Sequence, residues 1–235
     1  MVEKKTRTVG VILAAGKGER MRRGLPKQFL PLGGKPLFLH SVALFCASSL
    51  IDEVCLVIPR DRESDLCEWL APYEKEKSVH CVVGGVTRAL SSYNAYAYYR
   101  ACGERVNFVI HDAARPLLAR QDLEAVTEAL CSAPAAVLAI PTPDTIYEVD
   151  EGYTITNIPP RSSLWCAQTP QAFRAEVLER MYAARPEEAL VTDDVGLMRS
   201  LCPELPIRLI EATAPNPKLT TPKDLPWLEY LLGTH

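Results

Sequence analysis

The chain has 235 residues, 48% of them hydrophobic and 23% charged, with a formal net charge of −3. That length fits one large α/β domain with a substantial core, and a mildly acidic whole excludes general nucleic-acid binding through an extended basic face. No stretch is long enough to cross a membrane. Eight cysteines with no C-x-x-C pair and no regular spacing argue against a disulfide framework or a zinc site and for a reducing cytoplasm.

Lys4, Lys5 and Arg7 precede an apolar stretch, but that stretch ends within about eight residues in a charged loop and lacks a cleavage region, so no signal peptide is expected. Val9 to Leu13 is short and β-branched, as in a parallel strand buried on both faces. The loop from Leu13 to Lys27 then carries Gly16 and Gly18 among Lys17, Arg20, Arg22, Arg23 and Lys27. Glycines let a backbone turn tightly and aim its N–H groups at an anion. The loop is therefore either a phosphate cradle or an ordinary connection with a solvated basic surface. It is not a Walker A loop, which needs four residues between its first glycine and a Gly-Lys-Ser/Thr. Nor is it a dinucleotide fingerprint, because Met21 stands where the third glycine belongs.

Further along, Leu39, Val42, Ala43 and Cys46 share one helix face. Strands are expected at Val54 to Ile58 and Val79 to Val83, with a helix over Asp61 to Leu70 between them. Cys55 and Cys81 serve these strands as small core hydrophobes. A helix from Arg88 to Ala101 leads to a strand at Asn107 to His111. Leu123, Val126, Thr127 and Leu130 repeat the helical spacing before the apolar run Ala135 to Ile140.

From Pro141 the pattern changes. Thr145 to Glu148 and Tyr153 to Ile158 form two short strands around Asp150-Glu151-Gly152, with Gly at the bend: an arm at about 141–160, or an edge hairpin without a partner. After Trp165 to Gln168, Thr192 is placed to cap a helix with Asp193 and Asp194 in its first turn and Val195, Met198 and Cys202 on its buried face. Ile207 to Ile210 is a strand. Thr221, Pro222 and Asp224 open a last helix docked by Leu225, Leu228 and Leu232. No linker or repeat divides residues 1–235. The fold class is α/β: a Rossmann-like, doubly wound, mostly parallel sheet with a protruding β-hairpin arm.

In such a sheet the ligand crevice lies beyond the carboxyl ends of the strands. Ala14 to Lys27, Gly84 to Ser92 and Asp112 to Pro116 all occupy strand ends. Gly84-Gly85 with Thr87, Arg88, Ser91 and Ser92 suits a planar base and a ribose, or is a plain helix start. Asp112 either holds a divalent cation, with Arg115 on a phosphate, or caps the next turn and pairs with Arg115.

The order of segments is more specific than any one of them: L-A-A-G-x-G-x-R-M and P-K-Q, then G-G-x-x-R-x-x-S, H-D-A-A-R-P, D-T, R-x-x-L-W with T-P-Q, T-D-D, and N-x-K with T-x-P-x-D-L. Through nearly its whole length the chain resembles the 2-C-methyl-D-erythritol 4-phosphate cytidylyltransferases, within the sugar-nucleotidyltransferase superfamily. The resemblance implies CMP transfer from CTP to the sugar-alcohol phosphate, with magnesium (Mg2+). It implies Arg20 and Lys27 as catalytic contacts to the CTP phosphates, and Ala14, Ala15, Gly16 and Gly18 wrapping the triphosphate. Gly84, Gly85 and Ser91 would read cytosine and ribose. Asp112, Arg115, Thr169, Thr192 and Lys218 would surround the acceptor. Thr145 and Arg161 would reach a partner's site from an arm exchanged across a homodimer, with Arg161 and Lys218 positioning the attacking phosphate. Val86, Tyr147 and Pro159-Pro160 depart from residues common in the family. The alternatives are a ribitol 5-phosphate cytidylyltransferase, or a nucleotide-binding protein without turnover.

Overall fold

The computed structural model describes residues 6–16, 26–184, 186 and 192–234. Gly18 and Arg20 lie outside the described residues, as do Lys17, Arg22 and Arg23. The strands are β1 (Arg7–Leu13), β2 (Pro31–Leu32), β3 (Lys35–Pro36), β4 (Glu53–Ile58), β5 (Val79–Val83), β6 (Val106–Asp112), β7 (Ala135–Pro141), β8 (Glu148–Val149), β9 (Ile155–Asn157), β10 (Trp165–Phe173) and β11 (Ile207–Glu211). The helices are α1 (Leu37–Ala47), α2 (Glu63–Glu74), α3 (Arg88–Ala101), α4 (Arg120–Glu128), α5 (Ala175–Met181), α6 (Asp194–Leu201) and α7 (Leu225–Thr234).

Seven strands form the central sheet in the order β11-β7-β10-β6-β1-β4-β5. Neighbours are parallel except at β10, which runs antiparallel to both β6 and β7. Period-two alternation sorts the strand residues onto two faces. Ile12, Leu56 and Val109 pack with Phe38, Val42, Leu70 and Val126 of α1, α2 and α4. Val11, Val57 and Ile110 pack with Ala95, Tyr96, Leu178 and Met198 of α3, α5 and α6. This two-sided burial explains why the central strands read as continuous apolar runs. The last helix instead closes a satellite cluster in which Leu228 and Leu231 meet Leu30, Leu32 and Leu219.

Two local expectations need correction. Helix α6 is capped by Asp193, whose carboxylate accepts from Gly196 N–H at 2.7 Å, while Thr192 is exposed. Asp has the same short oxygen reach as Thr and stands at the true boundary. In the arm, pairing is confined to β8 and β9, so Thr145 to Tyr147 lie outside the strands. The Asp150 side chain accepts from the N–H groups of Gly152 and Thr154, each at 2.9 Å, and the left-handed turn position falls on Tyr153 (φ 62°) rather than on Gly152. The Asx turn sets that bend, so glycine is not required at it.

Candidate active site

The carboxyl ends of β1, β5 and β6 open into one cleft of about 620 Å³, a size suited to a small ligand. Ala15, Gly16, Lys27, Gly85, Ser91, Asp112 and Lys218 line it together with Gln28, Thr87, Arg88 and Thr220. Three strand ends far apart in sequence thus converge, as sheet topology dictates, and the segment of Lys218 and Thr220 joins them.

The loop after β1 is held at its root. Ala14 N–H donates to Val57 O at 2.8 Å. The buried Gln28 amide donates to the carbonyls of Ala14 and of Gly16, the latter at 2.9 Å. Gln28 belongs to the P-K-Q segment but is assigned no role by sequence reasoning. Its work is to hold the described start of the loop against the short helical turn that carries Lys27.

At β5 the glycines are there for close approach. A Cβ on Gly84 would collide with that of Ala15, and one on Gly85 with Leu90 at the start of α3. Thr87 caps α3, accepting from Leu90 N–H at 3.1 Å. Ser91 is spent on the backbone, since its hydroxyl accepts from Gly85 N–H at 3.1 Å and donates to Thr87 O at 2.9 Å. Ser92 is fully buried. Val86 is 89% exposed at the cleft rim, so backbone groups of Gly85 and Val86 are the polar features there for a base edge.

Asp112 ends β6 and is the one carboxylate among the described residues that line the cleft. Its partners are not Arg115 but Arg88 Nε, 3.2 Å from Oδ1, and Lys218 Nζ, 2.5 Å from Oδ2. Burial pushes the carboxyl up, yet the Arg88 guanidinium and the Lys218 ammonium outweigh it and hold it far below the ordinary carboxylate range. Both oxygens are therefore engaged by cations. No group of three or more His, Cys, Asp or Glu side chains stands together among the described residues. A magnesium ion caged by protein side chains at Asp112 does not fit these residues.

Behind Asp112 lies a buried support. Thr169 Oγ1 accepts from Asp112 N–H at 3.1 Å and sits 3.0 Å from His111 Nδ1. His111 Nε2 is 2.9 Å from Arg115 O. A carbonyl can only accept, so Nε2 carries the proton and Nδ1 accepts from the Thr169 hydroxyl. Burial pushes the His111 pKa down to about 4, which keeps the ring neutral.

Arg115 donates to Asn216 O at 2.6 Å. The Asn216 amide donates to Gln168 Oε1 at 3.1 Å and to Thr169 O at 3.0 Å. Asn216 thus pins the segment that delivers Lys218. Lys27 donates to Leu219 O at 2.7 Å. Arg161 and Thr145 lie at the exposed base of the arm, where Arg161 donates to Pro143 O at 3.1 Å. Neither they nor Arg115, Thr169 and Thr192 are among the residues lining the cleft within one chain.

Residues 8–234 match the family model described as 2-C-methyl-D-erythritol 4-phosphate cytidylyltransferase. A relative of that name from Halalkalibacterium halodurans is 36% identical over 224 residues, covering 95% of this chain and 96% of its own. The solved 4-diphosphocytidyl-2C-methyl-D-erythritol synthase of Anaerococcus prevotii superposes with a TM-score of 0.82 at 25% identity, covering 97% and 96% of the two chains. The 2-C-methyl-D-erythritol 4-phosphate cytidylyltransferase of Thermus thermophilus superposes with a TM-score of 0.72 at 30% identity, covering 95% and 98%.

Proposed function

The chain belongs to the 2-C-methyl-D-erythritol 4-phosphate cytidylyltransferase family, and we infer from this that it transfers CMP from CTP to methylerythritol phosphate, giving the cytidine diphosphate adduct and pyrophosphate. The observation that carries the reading is the joining of two lysine-bearing segments in one cleft, Lys27 beside the glycine loop and Lys218 beside Asp112.

A phosphate monoester has a second pKa of about 6, so the acceptor is already largely dianionic at neutral pH. It needs no general base. One of its oxygens forms a bond to the α-phosphorus of CTP, and the bond from that phosphorus to the bridging oxygen of pyrophosphate breaks. Catalysis then consists of bringing two repelling anions together and stabilising the charge that develops on the leaving group. Lys27 and Arg20 are assigned to the nucleotide phosphates and Lys218 to the acceptor phosphate. Gly16, Gly84 and Gly85 supply close backbone approach. Magnesium is assigned to the nucleotide as the counter-ion of its phosphates, because Asp112 is already held by two cations.

We assign the arm to a homodimer contact, which would carry Arg161 and Thr145 to the partner's cleft. The assignment is supported by apolar side chains left in water along it, among them Ile146, Val149, Ile155 and Ile158, with Tyr153 88% exposed. Among the described residues no helix is long and apolar enough to cross a membrane. Cys46, Cys55, Cys102, Cys131, Cys166 and Cys202 are free thiols, which supports a cytoplasmic setting.

Pyrophosphate release from CTP, measured with methylerythritol phosphate and separately with ribitol 5-phosphate, tests the acceptor. The reading expects a preference for methylerythritol phosphate of at least about 100-fold in kcat/KM, the discrimination a pocket built to bond one acceptor's hydroxyls readily reaches. Preference for ribitol phosphate overturns it.

A further inference from the structure

Arg88 opens α3 at the wall of the cleft, and its guanidinium is committed inward. Nε donates to Asp112, and Nη1 pairs with Asp194, whose side chain is fully buried. The remaining Nη2 is buried without a hydrogen-bond partner. A guanidinium that tolerates an unmatched donor is placed by its two carboxylates, not by solvent.

Asp194 is itself fixed from several sides. Its N–H donates to Gln171 Oε1 at 3.1 Å, as does that of Val195 at 3.2 Å, and Tyr182 OH donates to its Oδ1 at 3.4 Å. Gln171 also donates to the capping Asp193 at 2.7 Å. A carboxylate this deep calls for a cation beside it, and Arg88 is its ion-pair partner among the described residues. A continuous set of contacts therefore runs from the first turn of α6 through Arg88 to Asp112, and from Asp112 to Lys218. Lysine could not replace Arg88, because a point charge on a flexible stem lacks the planar fork that meets two carboxylates at once.

We propose that Arg88, anchored by the buried Asp194, is a positioning residue for the transfer reaction: it fixes the Asp112 carboxylate and, through it, the Lys218 ammonium. The proposal rests on the reading of Asp112 and Lys218 as acceptor-side residues. The charges of the four groups cancel, so Arg88 orients Asp112 without drawing the acceptor phosphate to itself.

A double-mutant cycle tests this. Arg88→Met, Asp112→Asn and the double variant are compared by kcat/KM for the acceptor at saturating CTP, by KM for CTP, and by thermal melting. Each single change is expected to lower the acceptor kcat/KM by about tenfold or more while the KM for CTP moves less than about threefold. The double variant should fall within about threefold of Asp112→Asn alone, since a residue acting through another shows strong coupling. Arg88→Lys should not rescue. If Arg88→Met fails to fold, Asp194→Asn takes its place in the cycle with the same expectation. Multiplied losses in the double variant, or near-normal acceptor kinetics for Arg88→Met, overturn the positioning role alone. Wild-type acceptor kinetics for Asp112→Asn overturn the acceptor-side reading as well.

Discussion

The Lys27 ammonium donates to the Leu219 carbonyl at 2.7 Å, one residue from the Lys218 that pairs with Asp112 at 2.5 Å. The cation assigned to the nucleotide phosphates and the cation assigned to the acceptor phosphate are thus set by the same short run of backbone. That run is itself pinned, with Leu219 N–H on Ala114 O at 2.8 Å and Asn216 on Gln168 and Thr169. Spacing between the two charges is a property of the fold, available before either substrate arrives.

Lys27→Ala should lower kcat by about 10²–10³, the loss expected when one donor to developing negative charge is removed. Its melting temperature should stay within a few degrees of wild type, because the lost backbone contact lies on a half-buried side chain. Steady-state kinetics with paired melting curves check both, and near-normal turnover would remove Lys27 from its assigned role.

Gly84→Ala should raise the KM for CTP and spare the acceptor. The added methyl would meet the Cβ of Ala15 in the glycine loop, and that loop must move to make room. An increase of about tenfold or more is expected from isothermal titration or initial rates. An unchanged CTP affinity would show that this contact does not shape the nucleotide half.

The arm assignment makes a complementation experiment decisive. Lys27→Ala and Arg161→Ala chains are each expected to be strongly impaired alone, and mixing them should raise the activity above either if each cleft takes Arg161 from its partner. Demonstrated subunit exchange with no rescue would place both residues in the same site.

Acid stability should carry the signature of His111. Burial lowers its folded pKa to about 4 from the usual 6.5, so between these values the unfolded chain binds a proton that the folded chain does not. Stability therefore falls as pH drops from about 6.5 to about 4, by about 3 kcal/mol from this group. Urea midpoints at pH 7 and pH 5 measure the slope, and His111→Asn should flatten it relative to wild type. Equal slopes in both proteins would contradict the neutral buried ring.

The elements that sequence periodicity reveals are local ones. Arg88–Ala101 and Val79–Val83 coincide with the observed helix and strand, because each is dictated by side chains within a turn or two of one another. The meeting of three strand ends in a cleft was also legible, since doubly wound topology enforces it. What eluded reading was the identity of partners. Asp112 looks toward Arg115 in sequence, but a turn directs Arg115 to Asn216, and the cations that reach Asp112 lie 24 and 106 positions away. Thr169 and Ser91 have hydroxyls suited to a ligand, yet the fold spends both on its own groups. Gln28, Gln171 and Asn216 stood in quoted motifs as silent letters; their amides hold the loop, α6 and the Lys218 segment, a role visible only once long-range packing is known.

Direct attack by the acceptor phosphate on the α-phosphorus of CTP can be followed by isotope tracing. Methylerythritol phosphate carrying ¹⁸O in its phosphate is turned over with unlabelled CTP, and the products are weighed by mass spectrometry and followed by phosphorus NMR. All of the label is expected in the cytidine diphosphate adduct and none in pyrophosphate, with the two products in equal amounts. Label in pyrophosphate, or CMP and pyrophosphate formed without the adduct, would contradict it.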